Sequence, residues 1–234
     1  MVKMERGRVW DYFLGPLAYV VLSVAIYMVF VVAPEEKMMG VVQKIFYFHV
    51  SAAWVAFLAF FVVFVGSIMF LIKRDYFWDG ISLASAEIGV VFTTIVITTG
   101  PIWAKTVWNA WWTWDPKLTT AIIMWFIYLA YVVLRLAAGE EEKTARFAAI
   151  FGIIGFLDVP LVFAAGRWWQ KTFHPIVFNN PSGGLDPAMK PAFFISLFAF
   201  TILYIYLLVK STRINLMQRE LNRLKDMVKE KIYG

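Results

Sequence analysis

The chain has 234 residues, of which 61% are hydrophobic and 16% are charged, whereas soluble proteins average about half apolar and about a quarter charged residues. It contains no cysteine, which excludes disulfides, thiolate metal sites and thiol redox chemistry. Its formal net charge of +6 is spread over the connections between long apolar runs, and this distribution argues against a nucleic-acid-binding protein and for a membrane protein.

Six apolar runs, each almost free of charged residues, follow one another along the chain. Each is about 20 residues long, which is enough for a helix to cross the hydrocarbon core of a bilayer, about 30 Å thick. The runs cover residues 13–33, 50–72, 81–99, 118–137, 147–165 and 192–209. The sequence therefore predicts an all-α, polytopic membrane protein with six transmembrane helices.

The positive charges are divided unequally between the two sides that six spans create. The side with both termini and the connections at 73–80 and 135–146 has 15 of the 22 Lys and Arg residues, and the other side has 7. The positive-inside rule places the more positive side in the cytoplasm. We therefore predict that residues 1–209 form a domain in the cytoplasmic membrane of the cell and that both termini are cytoplasmic.

Residues 210–234 form a basic tail in which apolar residues recur with a helical period. The steps alternate between three and four residues at Ile214, Met217, Leu221, Leu224 and Val228, and Lys and Arg are frequent at the other positions. This pattern predicts an amphipathic helix that either lies on the cytoplasmic leaflet of the lipid bilayer or packs against a partner protein.

A tryptophan-rich segment, WNAWWTWD at 108–115, lies in the predicted outer connection at 100–118. The same side of the membrane is predicted to hold Trp103, Trp168 and Trp169 together with both histidines of the chain, His49 and His174. Tryptophan is common at membrane interfaces, but this concentration beside the two histidines indicates a binding site. Interface anchoring and structural histidines remain the alternatives at this point.

The two histidines suit haem better than they suit zinc. A zinc site needs three or four protein ligands, whereas two imidazoles form a complete axial pair for an iron whose other four positions the porphyrin fills. Indole faces stack well on a flat porphyrin. Four cations are close enough in sequence to receive the haem propionates: Lys105, Lys117, Arg167 and Lys171. Asp115 is expected to hold the loop, by accepting hydrogen bonds from indole or backbone N–H groups or by pairing with Lys117.

The segment TGPIWAKTVWNAWWTWDPKLT resembles the tryptophan-rich WWD signature of membrane proteins that handle haem. Other segments are similar to the haem exporter protein C family of cytochrome c maturation: KIFYFHVSAAW at 44–54, AEIGVVFTTIVITTG at 86–100, DVPLVF at 158–163, RWWQKTFHP at 167–175 and LDPAM at 185–189. The ordered combination over most of the chain is specific to that family, whereas a WWD motif alone would indicate only the superfamily.

The resemblance implies that the chain is the haem-binding subunit of a complex with an ATP-binding-cassette (ABC) transporter. In such a subunit haem b is bound non-covalently on the extracytoplasmic face and is delivered to a membrane-anchored haem chaperone. The implied partners are the transporter's ATPase and permease, a small single-span accessory subunit and the chaperone. The axial histidines carry over onto His49 and His174, and the aromatic platform carries over onto Trp108, Trp111, Trp112 and Trp114, with Asp115 as the motif carboxylate.

The chain has no GxxxxGK[ST] motif, so ATP is expected to be bound by another subunit, and this one is not expected to be an enzyme. Two residues depart from the family pattern: Asn109 stands where the motif usually has glycine, and Glu87 lies inside the third span. Glu87 and Asp158 are the carboxylates predicted inside spans. The WDPK segment at 114–117 is more similar to the synthase subunits of the second cytochrome c biogenesis system. A synthase (haem lyase), a haem permease and a structural scaffold therefore remain alternatives.

Overall fold

A computed structural model of the chain describes residues 2–137, 142–168 and 184–233. The α-helices are Val2–Tyr27 (α1), Ile45–Lys73 (α2), Tyr76–Trp108 (α3), Pro116–Ala137 (α4), Glu142–Gly155 (α5), Asp158–Trp168 (α6) and Lys190–Tyr233 (α7). A π-helical turn at Met28–Val32 extends α1, and 3-10 turns at Val41–Lys44 and Pro187–Met189 precede α2 and α7. Within these residues six helical segments are long and apolar enough to cross a membrane, which confirms the predicted fold class.

The third span is longer than predicted. α3 continues through Gly100 and Pro101 to Trp108, so the connection predicted at 100–118 is a shorter loop at 109–115. A proline removes one N–H from the helical hydrogen bonds but does not have to end a membrane helix, since neighbouring groups can compensate. The tryptophans at 103 and 108 therefore belong to a helix rather than to the loop.

The fifth span consists of two helices, α5 and α6, separated by a turn at Phe156 and Leu157. Pro160 explains the interruption because it has no N–H to donate to the carbonyl of Phe156 in a continuous α-helix. That carbonyl accepts instead from the N–H of Val159 at 3.0 Å. Together α5 and α6 still form one membrane-crossing segment, Glu142–Ala165.

The predicted amphipathic tail is the end of α7 rather than a separate helix. α7 runs without a break for 44 residues, or about 66 Å at 1.5 Å per residue, which is twice the thickness of a hydrocarbon core. The apolar residues of the tail, such as Ile214, Met217 and Val228, are exposed. A helix that has crossed the bilayer must bend to lie along its surface, and α7 is unbroken.

α2 and α3 form an antiparallel hairpin at the centre of the fold. Arg74, with φ of 56°, ends α2 by donating its N–H to Phe70 O at 2.9 Å, and Asp75 caps α3 by accepting from Phe77 N–H at 2.9 Å. The hairpin packs on α4 through Phe60, whose ring stacks on Tyr128 with centroids 3.6 Å apart. The contacts at the turn set the register of α2 and α3, and the ring stack joins α2 to α4.

Because the helices alternate in direction, each end of the bundle collects particular residues. One end, which we call the His49 end, holds the start of α2, the end of α3 and the start of α4 and α7. Gln43 and Met189 meet there, with Gln43 Nε2 3.8 Å from Met189 Sδ. The opposite end holds the start of α3 and the end of α4. The orientation of these ends in the membrane stays a prediction from the positive charges.

A buried ion pair joins three helices at the opposite end. Arg135 Nη2 of α4 lies 2.8 Å from Asp79 Oδ2 of α3, and the two side chains are 4% and 5% exposed. Arg219 of α7 approaches the same oxygen at 3.5 Å and lies over the ring of Tyr76, 3.3 Å from its centroid. One carboxylate thus connects α3, α4 and α7.

The two carboxylates predicted inside spans both occupy structural positions. Glu87 Oε2 accepts a hydrogen bond from Ser211 Oγ at 3.0 Å, which joins α3 to α7. Asp158 is buried as the first residue of α6, where the positive end of the helix dipole favours a negative charge. Glu87 therefore has a side-chain partner, whereas Asp158 Oδ2 is buried without one among the described residues.

Replacing Arg135 by Met should destabilise the protein, because Asp79 would stay buried with the more distant Arg219 beside it. Removing one member of a buried ion pair costs about 3–5 kcal/mol, and the unfolding temperature of the detergent-solubilised protein measures the loss. The matched control is Arg146→Met, since Arg146 pairs with Glu142 at the surface and its loss should change little. Equal effects of the two substitutions would contradict a stabilising role for the buried pair.

Candidate functional site

His49 lies in the second turn of α2 and is half-buried against the end of α3. Its Nδ1 is 3.0 Å from the hydroxyl oxygen of Thr99. The ring also packs over Gly100, where an added Cβ would lie only 3.3 Å from His49 Cε1. The absence of a side chain at Gly100 therefore lets the imidazole approach the α3 backbone. The sequence analysis did not identify Thr99 or Gly100 as neighbours of His49. The pattern that could have pointed to them is the TTGP segment, which precedes the tryptophans.

Two tryptophans follow on the last turns of α3. The rings of Trp103 and Trp108 meet edge to face, with centroids 5.3 Å apart and an interplanar angle of 85°. The indole Nε1 of Trp103 is buried and has no hydrogen-bond partner in the described part of the chain. A buried indole N–H without an acceptor carries a free-energy cost, which an acceptor group of a ligand would remove.

Asn109 ends α3 and begins the loop. It has left-handed backbone angles, φ 55° and ψ 20°, a conformation that glycine adopts freely and that asparagine tolerates best among other residues. Lys105 Nζ donates to the carbonyl oxygen of Asn109 at 3.3 Å and to its Oδ1 at 3.0 Å. Asparagine therefore adopts a turn that glycine could also adopt, and Lys105 stabilises that turn.

Asp115 ends the loop and caps α4. Its Oδ1 accepts from Leu118 N–H at 3.0 Å, and its Oδ2 accepts from Thr113 Oγ1 at 3.3 Å. The residue is only 6% exposed. The backbone N–H of Leu118 is thus one of the partner types expected for Asp115, and the contact fixes the first turn of α4.

Between these two caps the loop presents tryptophans of two kinds. Trp111 and Trp114 are 61% and 75% exposed. Trp112 is more enclosed, with its ring 5.7 Å from that of Trp114 at 73°, and its buried Nε1 lacks a partner among the described residues. The loop thus offers open indole faces beside an unused indole donor.

The described residues bring both flanks of the tryptophan-rich segment to His49. Thr99 and Gly100 precede the segment and touch the imidazole. Lys117, one residue after the start of α4, is close enough for its charge to act on the same ring. In the part of the chain that the structure describes, no group of three or more His, Cys, Asp or Glu side chains could hold a free metal ion.

Several predicted site residues cannot be placed beside His49. Trp169, Lys171 and His174 lie outside the described residues. Arg167 and Trp168 end α6, but their side chains are outside the described part as well. The second histidine therefore stays a prediction from the sequence.

Comparisons with known proteins cover nearly the whole chain. Residues 4–227 match the family model described as Heme exporter protein C. Heme exporter protein C of Bradyrhizobium diazoefficiens is 27% identical over 215 residues, which are 92% of this chain and 81% of that protein. A putative cytochrome c biosynthesis ccmC-like mitochondrial protein of Marchantia polymorpha is 30% identical over 193 residues, 82% of each chain. Heme exporter protein C of Escherichia coli K12 is 30% identical over 184 residues, 79% of this chain and 74% of that one.

The left-handed turn at Asn109 can be tested by substitution. Asn109→Gly should leave the loop intact, whereas Asn109→Val should strain it by about 1–2 kcal/mol because a side chain with Cβ is disfavoured in this conformation. The rate of protease cleavage within 109–115 in the solubilised protein reports the difference. Identical cleavage of the two variants would show that the turn does not need these backbone angles.

Proposed function

The chain belongs to the haem exporter protein C family and handles haem in cytochrome c maturation. From this premise we propose that it binds haem b non-covalently at the His49 end and delivers it to a haem chaperone. The His49 end then faces the outside of the cytoplasmic membrane, as the distribution of positive charge predicts. The observation that carries the proposal is that a half-buried imidazole and a capped loop with exposed tryptophans lie at the same end of the bundle.

The donor set at the His49 end fits a porphyrin better than a bare ion. Haem supplies its own four equatorial nitrogens and an iron that accepts axial imidazoles, so one or two histidines suffice. His49 provides one ligand, and His174 provides the second in our proposal. Trp103 and Trp112 have buried indole N–H groups without an acceptor among the described residues, and a carboxylate such as a propionate is a suitable acceptor.

The loop tryptophans would hold the flat face of the ring. Trp111 and Trp114 expose large aromatic surfaces, and stacking on a porphyrin would bury them with favourable offset geometry. Lys117, near His49, would attract the negative propionates. These contacts would hold haem and leave one side of it open to a partner protein.

The transfer itself would depend on other proteins. The chain has no phosphate-binding P-loop, so the ATPase of an ABC transporter would supply any energy. The transporter's permease and a small accessory subunit would complete the complex. The chaperone would approach from the outer side, where Trp111 and Trp114 are exposed. We infer that this chain presents haem and does not itself catalyse a change of covalent bonds.

The histidine assignment predicts a spectral change. Purified protein loaded with haem should show the sharp bands of low-spin bis-imidazole iron, and His49→Ala or His174→Ala should abolish them and weaken haem retention, because one axial ligand is missing. Absorbance spectra during haem titration measure both effects. Membrane insertion and the elution volume on size-exclusion chromatography serve as folding controls. Unchanged spectra in both variants would overturn the assignment.

The platform assignment predicts a loss of delivery. Replacing Trp111 and Trp114 together by Ala should lower covalent haem on the chaperone, since the exposed stacking surface is gone. The matched control is Trp54→Ala, because Trp54 is also exposed but lies within α2 and bonds Thr201. Chaperone loading in membranes is measured by haem staining. Equal loading by the two variants would contradict the platform role.

A further inference from the structure

Thr99 makes the hydrogen bond that the described residues provide to the imidazole of His49. We propose that Thr99 is a positioning residue: it holds His49 in the Nδ1–H tautomer, so that the lone pair of Nε2 is available to the iron. The inference rests on the proposed haem function for its purpose, but the tautomer itself can be measured without haem.

The direction of the hydrogen bond follows from counting protons. Thr99 Oγ1 lies 2.7 Å from the carbonyl oxygen of Ile95 and 3.0 Å from His49 Nδ1. A carbonyl can only accept, and two oxygens at 2.7 Å repel unless a proton lies between them, so the single hydroxyl proton points at Ile95 O. The hydroxyl is then an acceptor towards the imidazole, and Nδ1 must carry the proton.

The position of the ring is restricted at a second point. Gly100 follows Thr99, and its missing side chain lets His49 Cε1 lie against α3. Thr99 therefore holds Nδ1 while the glycine surface supports the adjacent ring carbon, which leaves Nε2 as the nitrogen for an external ligand. Metal-binding histidines generally donate their other N–H to a neighbouring group, and this contact sets their tautomer and orientation.

The choice of a hydroxyl affects how firmly iron would be held. A carboxylate partner would raise the basicity of the imidazole more, because the negative charge strengthens the N–H···O bond. A neutral threonine orients His49 without that increase. Such a ligand suits a protein that must release haem to a partner. Thr99 is also on the helix that carries Trp103 and Trp108. Its hydrogen bond to His49 therefore fixes the proposed axial ligand relative to these two tryptophans.

The first test measures the tautomer in the full-length protein without haem. With His174→Ala, His49 is the remaining histidine, and ¹⁵N-histidine labelling gives one pair of imidazole signals in solid-state NMR. We expect the Nδ1–H tautomer in this parent and in Thr99→Ser, and a substantial Nε2–H fraction in Thr99→Val, which keeps the shape but lacks the acceptor. The same tautomer in all three proteins would overturn the inference.

The second test measures haemin affinity in chains that retain both histidines. Thr99→Val should bind haemin about 10–100-fold more weakly, as expected for losing a contact to a metal-ligating histidine, and Thr99→Ser should recover most of the affinity. The matched control is Thr98→Val, whose hydroxyl bonds backbone carbonyls on the exposed side of α3 and should not matter.

The outcomes separate the two proposals. Full haemin affinity in Thr99→Val with loss of binding in His49→Ala would overturn the positioning role and leave the haem function standing. Unchanged haemin binding in His49→Ala would overturn the proposed haem site, and with it the purpose of the bond, even if the NMR tautomer is the expected one.

Discussion

The packing register of the α2–α3 hairpin is the constraint on which the candidate site depends. His49 and Thr99 are 50 residues apart in the chain and lie about equally far from the turn at Arg74 and Asp75, so an antiparallel pair of straight helices brings them together. A slip of one helical turn would move them apart by about 5.4 Å and break the contact. The left-handed Arg74 and the Asp75 cap fix the turn from which this register follows.

The tryptophan loop combines fixed ends with an open middle. Asn109 and Asp115 are held by hydrogen bonds to α3 and α4, whereas Trp111 and Trp114 between them remain exposed. A loop that is already ordered loses little conformational entropy when a flat ligand stacks on it. This arrangement fits the proposed task of taking up haem and passing it on, since stacking on exposed indole faces would hold the ring without enclosing it.

The buried ion pair and the candidate site lie at opposite ends of the bundle. The opposite end is closed by the buried Asp79–Arg135 pair and by Arg219 of α7, which together join three helices. The His49 end contains buried indole donors without partners in the described residues and a half-buried imidazole.

The sequence by itself determined the six spans, the two histidines, the tryptophan segment and the family, because hydropathy over about 20 residues and ordered motifs are properties of the chain alone. For Asp115 it left indole N–H groups, backbone N–H groups and Lys117 as possible partners, and the structure adds a backbone contact with Leu118. Only the tertiary structure decided that α3 continues past Pro101, that Thr99 and Gly100 meet His49, and that Asp79 pairs with Arg135. Those features depend on which faces of separate helices meet, and the register of side chains 50 residues apart leaves no pattern in the local sequence.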